Sequence, residues 1–142
     1  MKTLFNSLAT ALAILAFSLN ANAQTTNLTV VNETDCEILV QAAAYNCVDQ
    51  CLTAIVCIPP RSSHIIPACG AAGNHYEWVW AGVGPSDNCD ACDPQFLHDL
   101  NSPFLTCTTP SGPFQITIPP CGPHCHNPLT AEFVAPDVLA VY

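Results

Sequence analysis

The stretch Cys36–Ala44, CEILVQAAA, places Cys36, Ile38, Val40 and Ala42 on one parity and Glu37, Leu39, Gln41 and Ala43 on the other. Alternation with a period of two puts the two sets on opposite faces of an extended chain, so this segment predicts a β-strand. The segment His75–Val83, HYEWVWAGV, predicts a second long strand. Tyr76, Trp78 and Trp80 share one parity there, and His75, Glu77, Val79 and Ala81 the other. Glu77 resists burial, so the aromatic face is expected to point into the core. If it were exposed instead, it would form a stacking platform for sugar rings or a partner hot spot.

Shorter strands are predicted on either side. Asn27–Asn32, Thr53–Ile58, His64–Ile66, Phe114–Ile118, Leu129–Ala135 and Val138–Tyr142 are rich in β-formers. Thirteen prolines and six glycines interrupt them. Proline removes a backbone donor and cannot continue a helix or a central ladder, so strands must be short and long helices are disfavoured. About seven or eight short strands with turns between them predict an all-β fold, a small disulfide-rich antiparallel β-sandwich. The long connection Gly84–Pro113 needs a staple to be held in a small domain, and Gln95–Leu100 within it reads as one or two helical turns.

The opening Val30-Val31-Asn32, then Cys36 and Val40–Ala44, resembles the first strands of thaumatin-like proteins. The aromatic strand Trp78–Ala81 and the segment Thr130–Phe133 follow in a similar order. The resemblance implies a sandwich fold; it assigns no function. The chain is much shorter than members of that family and spaces its cysteines differently.

Residues 1–23 read as a secretory signal peptide: Lys2, an apolar run from Leu8 to Leu19, and Ala21-Asn22-Ala23 as a cleavage site. Residues 24–142 are then one domain, expected to be secreted, either extracellular or at a cell surface. No later segment approaches the ~20 apolar residues of a membrane-spanning helix. Once Lys2 has gone, Arg61 alone stands against eleven Asp and Glu. That acidic balance argues against nucleic acid, whose phosphates are bound through Lys and Arg.

Ten cysteines, Cys36, Cys47, Cys51, Cys57, Cys69, Cys89, Cys92, Cys107, Cys121 and Cys125, lie in the exported part. An even count in a short exported chain predicts a disulfide framework. Spacing does not choose the pairs, and the local pairs Cys47–Cys51, Cys89–Cys92 and Cys121–Cys125 are sterically possible.

Metal chemistry has three weaker footholds. Cys121, His124, Cys125 and His126, with Cys89 and Cys92, have zinc-like spacing, but an oxidising compartment turns such thiols into bridges. Cys121–His126 is one residue longer than a haem-attachment motif. Asp87, Asn88, Asp90 and Asp93 crowd one loop and are calcium candidates, without an EF-hand pattern. No cofactor is expected, and disulfides are the expected fate of the cysteines.

His64, His75, Glu77, His98 and Asp99 form no catalytic motif, and neither G-x-S-x-G, H-E-x-x-H nor a phosphate loop occurs. The leading expectation is a non-enzymatic extracellular binding or surface-structural module. The alternatives are a self-assembling subunit of a fibre or surface layer and a small secreted hydrolase. Asn27-Leu28-Thr29 and Asn32-Glu33-Thr34 are sequons, read as unused in a bacterial-style exported protein.

Overall fold

The computed structural model describes residues 26–71, 74–87, 90–91, 97–121 and 125–142. The predicted signal peptide therefore lies outside the described residues. Two sheets carry the fold. The first is formed by β5 (Ser62–Ile66), β1 (Leu28–Asn32), β11 (Val138–Val141), β10 (Leu129–Ala135) and β9 (Gln115–Ile118), in that spatial order. The second runs β3 (Gln50–Leu52), β2 (Glu37–Tyr45), β6 (Glu77–Asp87), β7 (Asp90–Ala91), with β4 (Val56–Ile58) also pairing β2 and β8 (His98–Asn101) pairing β6.

The all-β, disulfide-linked class predicted above is thus present. The described residues contain eleven strand segments, because Gln50–Leu52 forms a strand ahead of the predicted run 53–58, of which only Val56–Ile58 is strand, and short strands appear in the long connection. One neighbouring pair, β1 with β11, is parallel, with Val30 opposite Leu139; the other pairings are antiparallel. The helical reading of Gln95–Leu100 is corrected for its described part: His98–Leu100 belong to β8, opposite Val83, Gly82 and Ala81. Pairing with the long strand β6 outweighs weak local helix preference there.

Leu28, Val30, Leu129, Ala131, Phe133, Leu139 and Val141 of the first sheet meet Ile38, Val40, Ala42, Trp78, Ala81, Val83 and Leu100 of the second in one buried cluster. The alternation in β2 holds: Ile38, Val40 and Ala42 face that cluster. No helix among the described residues is long and apolar enough to cross a membrane.

Between the sheets, Asn32 is a polar hub, 1% exposed. Its Nδ2 donates to the carbonyls of Cys36 (2.8 Å) and Pro59 (2.9 Å), and more weakly to that of Ile58 (3.3 Å). Its Oδ1 accepts from the Thr34 backbone N–H and hydroxyl. One amide therefore ties the end of β1 to the start of β2 and the end of β4. The second sequon consequently has its asparagine inside the fold, where a glycan has no room.

Disulfides join Cys36 to Cys125, Cys47 to Cys107 and Cys51 to Cys69, and Cys57 and Cys121 are disulfide-bonded as well. Cys89 and Cys92 lie outside the described residues. The local options Cys47–Cys51 and Cys121–Cys125 are therefore corrected. Cys125 is 1% exposed in the core beside Cys36, and Cys121 meets Cys125 through the backbone instead, its N–H donating to the Cys125 carbonyl at 3.0 Å. Gly70, with φ of 106°, lies so close to the Tyr76 ring that a Cβ would stand 2.4 Å from it. Only glycine fits that contact without displacing the ring.

A candidate ligand groove on the outer face of the second sheet

The aromatic strand does not present one face. Ala44 of β2 pairs with Trp78, but Ala43 pairs with Trp80, so Val79 is an extra residue on β6. A bulge of this kind reverses the parity of everything beyond it. Tyr76 and Trp78 point inward, at 5% and 2% exposure, and inward positions then pass to Ala81 and Val83. Trp80 turns to the outer face. The expectation that Tyr76, Trp78 and Trp80 share a buried face is corrected on this point. The bulge is locally satisfied, since the Val79 carbonyl accepts from the Ser102 backbone N–H at 3.0 Å.

The register then builds a row across four strands: Leu52 opposite Ala43, Ala43 opposite Trp80, and Trp80 opposite Asn101. Ala43 is short and fully buried, and Leu52 and Trp80 stand on either side of it. Trp80 lies low on the sheet because its next outward neighbour is Gly82. A Cβ on Gly82 would come within 3.1 Å of the far edge of the indole and of Leu97.

The segment after β8 forms the rim. It leaves at Ser102 and returns at Pro113, whose carbonyl accepts from the Asn101 N–H at 2.7 Å. Cys107 is bonded to Cys47 in the turn before β3. Glu77 supplies a third tether: its carboxylate accepts from the Thr106 N–H at 2.9 Å, from the Thr106 hydroxyl, and from the Cys107 N–H at 3.4 Å. Partial burial pushes the Glu77 carboxyl up, but these donors, with His75 Nε2 at 3.7 Å, outweigh it and hold the group below the ordinary carboxylate value. A histidine, a carboxylate and a threonine thus meet, but the carboxylate sits in the middle. With three hydrogen bonds accepted from Thr106 and Cys107, the carboxylate anchors the loop.

Floor and rim enclose an open groove of about 450 Å³. Gln50 and Leu52 come from β3, Val79 and Trp80 from β6, Asn101 from β8, and Leu105, Thr108, Thr109 and Ser111 from the rim. None of these side chains is ionisable. A second hollow beside β1 and β5 is lined by Asn32, Glu33 and Arg61 among others. Its Asn32 amide is committed inside the fold, and Arg61 Nε donates to Asp35 at 2.8 Å on the surface.

The other residues singled out by sequence lie apart from the groove. His98 and Asp99 are successive residues of β8 and point to opposite faces. His64 and His126 are exposed, on β5 and just beyond Cys125. Asp87 ends β6, with Asp90 opposite it on β7; Asn88 and Asp93 lie outside the described residues, as does His124. Among the described residues no three His, Cys, Asp or Glu side chains gather as a metal site. With Cys121 and Cys125 both in bridges, neither offers zinc a thiolate. Gln50, Leu52 and the rim threonines carried no periodic signal marking them as site residues, because a bulge and a cross-strand row unite them. Comparison with known proteins returned no matching family model, no matching curated relative and no matching solved structure.

Proposed function

We propose that this chain is an exported, non-enzymatic binding module that holds an extracellular ligand in the groove around Trp80. The observation that carries the reading is the placement of Trp80 outside the core, on a floor and under a rim fixed by a disulfide and a half-buried carboxylate. A rigid aromatic group with neutral hydrogen-bonding neighbours offers affinity without the ordering cost of a mobile site. Binding is favoured over hydrolysis because no groove side chain can act as acid or base. Export is supported by the leader-like residues 1–23 and by the density of disulfides, which persist in oxidising compartments.

The test is thermal denaturation of the oxidised protein against four ligand classes: neutral glycans, acidic glycans, basic peptides and apolar small molecules. A ligand of the folded state raises the melting temperature through mass action. At least one class is expected to raise it for the native protein and not for Trp80→Ala. No shift in any class, or equal shifts in both proteins, overturns the reading.

The self-assembly alternative has its own observation. Edge strand β5, SSHII, has neither Pro nor Lys within it, and Ile65 is 59% exposed beside the open edge. Such an edge can pair with another chain. Assembly would appear as concentration-dependent growth in size-exclusion chromatography, and a monomer at every concentration rejects it.

A further inference from the structure

Resting on that reading of the groove, we infer that its ligand is an uncharged oligosaccharide, bound with a sugar ring against the Trp80 indole and hydroxyls on the neighbouring amides and hydroxyls. Four features of the molecule converge on this class.

The first is charge. The chain carries eleven carboxylates against two cationic side chains, one of them Lys2 in the leader-like segment. An acidic glycan or a nucleic acid would approach an acidic protein and find no Lys or Arg in the groove to neutralise it. A cationic partner would find no carboxylate among the groove side chains to pair with. A neutral ligand loses nothing on either count.

The second is the balance of surfaces. Trp80 and Leu52 give an apolar strip, while Gln50, Asn101, Thr108 and Thr109 carry both donors and acceptors. A purely apolar ligand would leave those amides and hydroxyls desolvated and unpaired. A sugar presents C–H groups on its ring faces and hydroxyls around its rim, which matches an apolar plate fringed by neutral donors and acceptors.

The third is the indole itself. Gly82 beneath its far edge lets the ring lie along the sheet. A flat aromatic plate is what ring stacking needs, and the absence of a Cβ at position 82 is what permits it. The fourth is length: the row from Leu52 to Asn101 crosses four strands, about 14 Å at the usual strand spacing. An open trough of that span suits several linked rings better than a single one.

The experiment uses the full exported chain with its disulfides intact. Cellohexaose, laminarihexaose, chitohexaose and mannohexaose serve as neutral probes, and oligogalacturonate and heparin fragments as acidic ones. Binding is read by calorimetry and by tryptophan fluorescence. At least one neutral hexamer is expected to bind and shift the emission, with affinity insensitive to salt. Trp80→Ala should weaken it by about tenfold or more, the scale of one lost aromatic anchor. Trp80→Phe, which keeps a plate, should lose less. Gly82→Ala, which pushes the indole without removing it, should lie between native and Trp80→Ala. Far-ultraviolet circular dichroism of each variant separates lost binding from lost folding.

If no neutral hexamer binds, the glycan assignment is overturned. It is equally overturned if one binds as tightly to folded Trp80→Ala, or if only acidic probes bind. Should an apolar or acidic compound then stabilise the native protein and not Trp80→Ala, the groove stands with a different ligand. Should no class do so, the groove falls too.

Discussion

The carboxylate of Glu77 takes both the backbone N–H and the hydroxyl of Thr106, so that one side chain on β6 holds the groove's rim beside the Cys47–Cys107 bridge. Because the folded state holds Glu77 below the ordinary carboxylate value, its contribution is complete above that value. It is lost as pH falls through the lower, folded-state value. Glu77→Gln is expected to cost about 1–2 kcal/mol at neutral pH, the scale of hydrogen bonds to a charged acceptor. The difference between native and variant should shrink in acid, below the ordinary carboxylate range. Urea denaturation of both proteins across that range checks the slope; a difference that is constant with pH contradicts the anchoring role.

Trp78 and Trp80 should report two environments. The Trp78 indole N–H donates to the Thr26 carbonyl at 2.9 Å and the side chain is 2% exposed. Trp80 lines an open groove. In Trp80→Phe the remaining emission should be blue-shifted and resist acrylamide quenching, whereas in Trp78→Phe it should be red-shifted and readily quenched. Similar quenching of both variants would place the two indoles on one face and refute the bulge.

That bulge marks the border of what the residues reveal on their own. Alternation in Cys36–Ala44 reads straight through to the strand and to its inward face. The same rule applied to His75–Val83 identifies the strand but misplaces Trp80, since one inserted residue reverses parity and leaves no compositional trace. The strand at His98–Asn101 has no alternation to announce it and exists because β6 offers a free ladder. Cysteine count and the leader-like residues 1–23 point to bridges, but a pair such as Cys36–Cys125, 89 residues apart, is fixed by the meeting of two sheets. The groove was legible only as a set of candidate aromatics; its neutral lining is assembled by register.

Asn32 should be among the least replaceable polar residues. Asn32→Ala leaves the buried Thr34 N–H without its acceptor and removes the amide's bonds to three carbonyls, although that of Cys36 keeps the Thr34 hydroxyl and that of Pro59 the Ser62 hydroxyl. A loss of about 2 kcal/mol is expected from the unpaired buried N–H and the lost amide bonds. Asn32→Asp should do no better, since it exchanges the donating amide for an acceptor facing carbonyls. Midpoints of urea unfolding measure both. A loss under about 1 kcal/mol would show that water satisfies these groups as well as the amide does.

The bridges should rank by the chain they enclose. Removing Cys36–Cys125 as a double alanine variant releases a sequence separation of 89 residues, against 18 for Cys51–Cys69. Loop-closure entropy gives about 4.5 kcal/mol for the first and about 3 kcal/mol for the second. The longer bridge also lies in the core, so its double variant should be the less stable by at least that difference. Thermal unfolding of both, with intact mass to confirm the remaining bridges, tests the order; the reverse order would mean that native-state contacts outweigh chain entropy.

The parallel neighbours β1 and β11 carry a consequence for the birth of the molecule. β11 follows every other described strand in the chain, yet it fills the middle of its sheet, between β1 and β10. Until residues 138–141 emerge, β5 with β1 and β9 with β10 are two disconnected hairpin-like halves, each showing a bare edge to its surroundings. The sheet can therefore close only once β11 is in place, like a keystone set after both arms of an arch. Long-range closure of this sort is slow. The chain crosses its most adhesive moment just before it is whole.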